Sequence, residues 1–181
     1  VRHQTALAKV DAVADHIRGM LESTGKVVVF AHHRDVNRAL VEALVEYNPV
    51  SLIGGDPAHA KQAAVDAFQT DPQVRVFVGS TQAAGVGLTL TASSTVVFAE
   101  LDWVPGNVTQ AEDRCHRIGQ HDSVLVQHLV IDGSIDARMA HRIVAKQEVI
   151  DAALDDDIDL PEKTITLPEP EMPVIKRRLE P

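Results

Sequence analysis

The sequence lacks several features that would each define a class of protein. Its 181 residues include a single cysteine, Cys115, so an intrachain disulfide framework is impossible and a thiolate zinc site is disfavoured. No apolar run reaches the roughly 18 residues that a membrane span needs. No basic segment followed by an apolar stretch opens the chain, as a secretory signal would require. We therefore expect no membrane partner and an intracellular protein, placed in the cytoplasm or nucleoid of a bacterium or phage, or in the nucleus of a eukaryote.

The chain also lacks an excess of basic residues. It has 17 lysine and arginine residues against 26 aspartate and glutamate residues, a net charge of −9, and residues 151–181 carry −5 of it. A stand-alone nucleic-acid-binding domain usually has the opposite balance. Any nucleic-acid contact is therefore expected to be a local strip of the surface. The chain begins at Val1 rather than at a methionine, and we expect it to be a fragment of a larger protein.

Short apolar runs alternate with amphipathic segments along most of the chain. The runs are rich in valine, isoleucine and phenylalanine without strict alternation, a pattern typical of strands covered on both faces. This order predicts an α/β fold with a mainly parallel, twisted sheet and helices on both faces. The last run holds Gln127 and His128 and is expected nearer an edge. The predicted strands are 27–30, 50–53, 74–78, 95–99 and 124–131, and the predicted helices are 6–22, 35–47, 58–69, 107–118 and one from Ser134 to about 154.

The amino-acid composition changes near the C-terminus. Residues 155–181 hold an acidic cluster and five prolines, a composition that buries too little apolar area to offset the entropy of ordering the chain. We predict one domain over residues 1–155 and an acidic, proline-rich tail or linker over residues 156–181.

The segment Gln110-Ala-Glu-Asp-Arg-Cys-His-Arg-Ile-Gly-Gln120 has two stripes when it is drawn as a helix. One stripe is apolar and includes Cys115, which is expected to be a core thiol. The other presents Gln110, Arg114 and Arg117 side by side. Two guanidinium groups on one face suit a polyphosphate, because each group can donate two hydrogen bonds to phosphate oxygens. The alternative is that neighbouring carboxylates simply pair with the arginines.

A second segment, residues 80–90, follows a predicted strand directly and contains Gly85 and Gly87. Ligands of open α/β sheets usually bind beyond the carboxyl ends of the strands. Glycines permit a close approach of the backbone, and Ser80 and Thr81 offer hydroxyls to phosphate oxygens. A plain turn between a strand and a helix is the alternative, because this segment is neither GxxxxGK[ST] nor GxGxxG.

Taken together, these segments resemble the second RecA-like lobe, or helicase C-terminal domain, of SWI/SNF-related DNA-dependent ATPases in helicase superfamily 2. The likeness runs from about Lys26 to Leu154. Residues 26–33 look like the family's motif IV, residues 80–90 like motif V, and residues 98–106 with 110–120 like the stretch that leads into motif VI. In detail the chain is most similar to the annealing-helicase branch.

The resemblance implies roles for individual residues. Arg117, with Arg114 beside it, would be an arginine finger on the γ-phosphate of ATP. Gln110 would couple that site to the contact between lobes, and Gly85 and Gly87 would shape the loop that touches the nucleotide. The residues expected near the DNA backbone are Ser80, Thr81, His32 and His33.

The sequence contains no GxxxxGK[ST] loop and no Asp-Glu-x-His-type run that could hold magnesium. The resemblance therefore implies that ATP and Mg²⁺ are held mainly by an N-terminal RecA-like lobe of the same full-length chain. The whole would be an ATP-dependent translocase acting on double-stranded or forked DNA. This chain alone is expected to be inactive.

Two alternatives to this interpretation exist. A dinucleotide-binding enzyme needs glycines after the first strand, where Phe30-Ala-His-His-Arg stands instead. A non-catalytic interaction module that retains the RecA-like fold is the second alternative. Glu100 and Asp102 are expected to anchor loops or to pair with Arg114. No metal site is expected, because His32 and His33 would point in opposite directions on a strand.

Overall fold

The computed structural model describes residues 2–81, 89–100, 123–131 and 175–179, and also positions 106, 110, 113, 115, 137 and 142. Helices and strands alternate along the described chain, as the apolar pattern predicts. The helices are α1 (Arg2–Ala8), α2 (Val10–Leu21), α3 (Arg34–Ala43) and α4 (Ala58–Thr70), with a 3₁₀ turn at Val45–Tyr47. The strands are β1 (Val27–Ala31), β2 (Val50–Leu52), β3 (Val76–Ser80), β4 (Thr95–Phe98), β5 (Val124–His128) and β6 (Ile175–Leu179).

The described strands form one sheet in the order β2-β3-β1-β4-β5-β6. The first five in this order are parallel, and only β6 runs antiparallel, against β5. Strand β1 lies at the centre, paired with β3 on one side and β4 on the other. Two parallel strands that follow one another in the chain must be joined by a crossover connection. Helix α3 provides this connection between β1 and β2, and α4 provides it between β2 and β3.

Strand β1 is buried along its whole length, and its residues alternate between the two faces of the sheet. Val28 and Phe30 belong to a core cluster that includes Val65 and Phe68 of α4. Val27, Val29 and Ala31 belong to a second cluster built from α1, α2 and α3. The sheet is thus covered on both faces, which explains why its strands read as continuous apolar runs.

The N-terminal helix differs from the prediction. The pattern predicts one helix over residues 6–22, whereas the structure has two helices that meet at Lys9, whose φ and ψ are −97° and 0°. Lys9 is only 5% exposed, and its Nζ donates a hydrogen bond of 2.9 Å to the carbonyl oxygen of Leu129. This contact with a residue far along the chain is invisible to a local pattern.

The helix predicted over residues 35–47 is also shorter than expected. It ends at Ala43, and the 3₁₀ turn and Asn48, with φ of +48°, turn the chain into β2. Strand β3 begins at Val76 rather than Val74, because Val74 is still held in a turn by the carbonyl of Asp71. Such end effects of one or two residues reflect hydrogen bonds that apolar periodicity does not report.

Strand β6 falls within the segment whose composition predicts a tail. Five of the residues 156–181 extend the sheet by backbone pairing along the outer edge of β5, with Val126 opposite Arg177. An edge strand can be held by its ladder of backbone hydrogen bonds, so acidic, proline-rich neighbours do not forbid it. The domain boundary at residue 155 stays a prediction.

Most residues of the last two predicted helices, 107–118 and the one from Ser134 to about 154, lie outside the described part of the chain. Gly106, Gln110, Ala137 and Arg142 have helical backbone, and Asp113 and Cys115 lie in turns. Within the part of the chain that the structure describes, no helix has the length and apolar character to cross a membrane.

Candidate functional site

The candidate site lies at the edge of the sheet where the parallel strands end. Ala31 of β1 is in register with Ser80 of β3, and Phe30 is in register with Phe98 of β4. The residues that follow these strands therefore meet at one edge. The chain leaves β1 towards β2 on one side of the sheet and leaves β4 towards β5 on the other side, so the crevice between β1 and β4 is the point at which ligands of such sheets usually bind.

Glu100 occupies this crevice. Its side chain is 1% exposed, and its carboxylate accepts three hydrogen bonds. Oε2 accepts from the backbone N–H groups of His32 (2.9 Å) and His33 (2.8 Å), and Oε1 accepts from Nδ1 of His33 (2.6 Å). A carboxylate oxygen can only accept, so this last bond needs the His33 tautomer that carries its proton on Nδ1. The prediction that Glu100 anchors a loop is confirmed, and Asp102 lies outside the described residues.

The two histidines do not lie on a strand, and the expectation that they point in opposite directions is wrong. Strand β1 ends at Ala31, and His32 and His33 form a bend before α3. Their ring centroids are 5.0 Å apart in an edge-on arrangement. The bend arises because both backbone N–H groups turn towards the carboxylate of Glu100.

Helix α1 reaches the same edge through His3, which the sequence analysis did not identify. The rings of His3 and His33 are stacked at 4.4 Å, and Nε2 of His3 lies 2.5 Å from Oδ2 of Asp35. Burial by itself would raise the pKa of Asp35, but the hydrogen bonds from His3 and from the N–H of Val36 outweigh it, and the pKa lies below its ordinary value. No local signal could have found this pair, because α1 and α3 meet only in the folded chain.

Ser80 and Thr81 are 5% and 1% exposed. The backbone N–H of Thr81 donates to the carbonyl of Ala31 at 3.2 Å, which continues the pairing of β1 and β3. Oγ1 of Thr81 is buried and has no hydrogen-bond partner among the described residues. The structure thus places both hydroxyls inside the protein rather than on its surface, and their contact with a nucleic-acid backbone stays a prediction.

Arg34, the first residue of α3, adds a cation to this edge. It is exposed, and its guanidinium group lies over the turn that follows β2. A methyl group on Gly55 would lie 3.5 Å from Nη2 of Arg34, and the φ of Gly55 is +105°, a conformation that favours glycine. The signal for this arrangement was the Gly54-Gly55 pair, but the sequence does not say which side chain lies above it.

The remaining predicted site residues fall mostly outside the described part of the chain. This holds for Arg114, Arg117, Gly85 and Gly87. Gln110 has helical backbone and an exposed side chain, which agrees with its placement on the polar stripe.

Cys115 lies on the apolar stripe, as predicted. It is fully buried in the core cluster that holds Phe30 and Val126. Burial raises the pKa of its thiol to about 12, so it is a core residue and not a nucleophile. Among the described residues, no group of three or more histidine, cysteine, aspartate or glutamate side chains is arranged to hold a metal ion.

Five parallel strands in this order, with helices on both faces and functional segments along the carboxyl edge, define a RecA-like α/β lobe. The fold is similar to the crystal structure of the C-terminal part of the Fun30 ATPase domain, with a TM-score of 0.66 at 27% identity, over 70% of this chain and 43% of that one. Residues 8–119 match the helicase conserved C-terminal domain. The chain belongs to that family, in its SWI/SNF-related group.

Two curated relatives are similar to most of this chain. The chain is 44% identical over 154 residues to the DNA annealing helicase and endonuclease ZRANB3 of Bos taurus, covering 83% of this chain and 14% of that protein. It is 43% identical over 158 residues to the SWI/SNF-related matrix-associated actin-dependent regulator of chromatin subfamily A-like protein 1 homolog of Caenorhabditis elegans, covering 81% and 22%. The chain spans less than a quarter of the length of these relatives.

Proposed function

We propose that this chain is the second motor lobe of an ATP-dependent translocase that acts on double-stranded or forked DNA. The observation that carries the proposal is the family match over residues 8–119, which includes Gln110, Arg114 and Arg117. The names of the two relatives, a DNA annealing helicase and a SWI/SNF-related regulator of chromatin, support an action on DNA.

In this proposal Arg117 stabilises the charge that develops on the γ-phosphate during ATP hydrolysis, and Arg114 lies beside it. Guanidinium groups suit this role because they are permanently charged and donate two hydrogen bonds in one plane. An arginine finger is typically worth about 10³ to 10⁵ in rate, or about 4–7 kcal/mol at 1.36 kcal/mol per factor of ten. Gln110 would link this site to the neighbouring lobe.

The phosphates of ATP and the Mg²⁺ ion are assigned to a partner lobe of the same full-length chain. The described residues do not fit a magnesium site at this edge, because all three hydrogen bonds to Glu100 come from N–H groups that occupy its oxygens. Mg²⁺ requires carboxylate oxygens that are free to coordinate it.

DNA would be held through its backbone at the carboxyl edge of the sheet. Arg34 supplies an exposed positive charge there, next to His32 and His33. The segment that contains Gly85 and Gly87 directly follows Thr81 in the sequence. Contacts of this kind position a duplex without reading its bases, and the net charge of −9 confines them to a local strip.

The decisive experiment uses an intact protein that contains this lobe and a P-loop lobe. We expect R117A to reduce DNA-stimulated ATP turnover by about 10³-fold or more, while circular dichroism shows an unchanged fold. The matched control is R18A, because Arg18 lies on α2 and pairs with Glu46 at the opposite edge of the sheet. Near-normal turnover of R117A would remove Arg117 from the mechanism.

A second measurement tests whether the lobe needs its partner. The 181-residue chain is expected to show no ATP hydrolysis with or without duplex DNA, since it lacks the phosphate-binding loop. DNA-stimulated turnover by this chain alone would contradict the proposed division of labour.

A further inference from the structure

The carboxylate of Glu100 lies in the crevice between β1 and β4. In open α/β sheets, backbone N–H groups at a helix N-terminus commonly bind an anionic ligand at this point. Here the N–H groups of His32 and His33, which directly precede α3, are taken by the carboxylate of Glu100 at 2.9 and 2.8 Å. These two N–H groups are therefore already bound to a carboxylate of the protein and are not available to a phosphate.

Glu100 joins two segments that have different predicted ligands. It directly precedes residues 101–120, which carry the predicted ATP contacts. Its hydrogen bonds end on the His32–His33 bend, which carries predicted DNA contacts. One side chain thus connects the two segments.

The connection is buried and well supplied with donors. Glu100 is 1% exposed, and the loss of any of its three donors would leave a buried charge incompletely paired, which is costly. The His33 ring is held from both sides, by the 2.6 Å bond to Oε1 and by the stack on His3. A displacement of the bend therefore moves the carboxylate with it.

We propose that Glu100 is a positioning residue that couples the His32–His33 bend to the segment after β4, so that binding of DNA at the bend raises ATP turnover. The inference rests on the proposed function and deepens it. Coupling of this kind is measured as non-additivity between the two partners.

The test compares E100Q, H33F and the double variant in an intact protein that contains this lobe and a P-loop lobe. In E100Q the amide oxygen can still accept from the two backbone N–H groups, but the negative charge is lost and an NH₂ group replaces one acceptor. In H33F the ring can still stack on His3, but the Nδ1–H donor is lost. The matched control is E46Q, because Glu46 pairs with Arg18 at the opposite edge.

ATP turnover is measured at constant salt while duplex DNA is titrated. We expect E100Q and H33F each to raise the DNA concentration for half-maximal stimulation about tenfold, a typical size for coupling between sites. The KM for ATP should change less than twofold, and the double variant should be no worse than either single variant. E46Q should behave as the wild type.

Each opposite result has a distinct meaning. If DNA stimulates the wild type and E100Q equally, or if the effects of E100Q and H33F multiply, Glu100 does not couple the two segments. If DNA fails to stimulate the wild type, the proposed function itself is wrong. Should E100Q fail to fold, H33F alone carries the test, and an unchanged DNA requirement in H33F overturns the proposal.

Discussion

The ammonium group of Lys9 donates a hydrogen bond of 2.9 Å to the carbonyl oxygen of Leu129, 120 residues further along the chain. The bond joins the break between α1 and α2 to the chain just after β5. Lys9 is almost fully buried, and a buried lysine is retained only where its charge is well solvated by polar partners.

We predict that K9M lowers the free energy of unfolding by about 1–3 kcal/mol, the usual cost of leaving a buried acceptor without its donor. Methionine keeps most of the aliphatic stem, so the loss reports the ammonium group. Urea denaturation measures the change. K61M on α4, where the side chain is half-exposed, is the control and should change stability by less than about 0.5 kcal/mol. Equal stability of K9M and the wild type would show that the hydrogen bond contributes nothing.

Arg75 caps the end of α2 from the start of β3. Its guanidinium donates to the carbonyl oxygens of Leu21 (2.5 Å), Thr24 (2.9 Å) and Gly25 (3.0 Å) and lies 5.6 Å from the ring of Tyr47. The last carbonyl groups of a helix have no partners within the helix, and a cation there also interacts favourably with its dipole.

We expect R75M to lower the free energy of unfolding by about 2 kcal/mol, because three carbonyl groups lose a charged donor. R75K should recover only a minor part, since an ammonium cannot reach three acceptors with the planar fork of arginine. Chemical denaturation of the three proteins gives the answer. If R75K were as stable as the wild type, the charge rather than the fork would be what matters.

Gly79 of β3 lies close to two aromatic rings. A methyl group there would lie 3.1 Å from a ring carbon of Phe30 and 3.1 Å from one of Phe77, and both rings are fully buried. We predict that G79A lowers the free energy of unfolding by about 1–3 kcal/mol, the usual cost of overpacking a core.

Gly19 provides the opposite control. It lies in α2, and a methyl group there would meet nothing within 4 Å. G19A should therefore stabilise the protein by about 0.5–1 kcal/mol, because alanine loses less backbone entropy in a helix than glycine. Thermal denaturation of both variants is the measurement, and a change of the same sign in both would refute the packing argument.

The sheet could be predicted from the sequence because its signal is local. Val27 to Phe30 form an apolar run that is buried on both faces, and β3 and β4 are buried along their whole length in the same way. The break at Lys9 could not be predicted, because the apolar spacing continues through it and its cause is the carbonyl of Leu129. Strand β6 was missed for a related reason, since backbone pairing with β5 leaves no trace in composition.

The candidate site was predictable in its position but not in its contacts. His32, His33 and Glu100 each follow a predicted strand, and the carboxyl ends of parallel strands share one edge of a sheet. The bend at the histidines, and the donation of three N–H groups to one carboxylate, depend on residues 67 and 68 positions apart. The stack of His3 on His33 depends in addition on the docking of α1.

Burial of Cys115 gives the protein a pH dependence that can be isolated. The thiol has a pKa of about 12 in the folded chain, raised by burial from an ordinary value of 9.0. Between these two values the unfolded thiol ionises while the folded thiol stays protonated, so the unfolded state binds fewer protons and stability falls as pH rises. The loss is about 1.4 kcal/mol per pH unit from this group alone, and the contribution is fully present below pH 9.

We therefore expect the free energy of unfolding of the wild type to fall more steeply than that of C115A between pH 9 and pH 10.5. The comparison cancels the lysine and tyrosine residues that titrate in the same range, because both proteins share them. Urea denaturation at four or five pH values gives the stability of the wild type relative to C115A, which should fall by about 1–2 kcal/mol across the interval. Parallel curves for the two proteins would mean that the thiol ionises as readily in the folded chain as in the unfolded one. Rapid labelling of the native protein by a thiol reagent at pH 8 would lead to the same conclusion, because a buried neutral thiol reacts only after the chain opens.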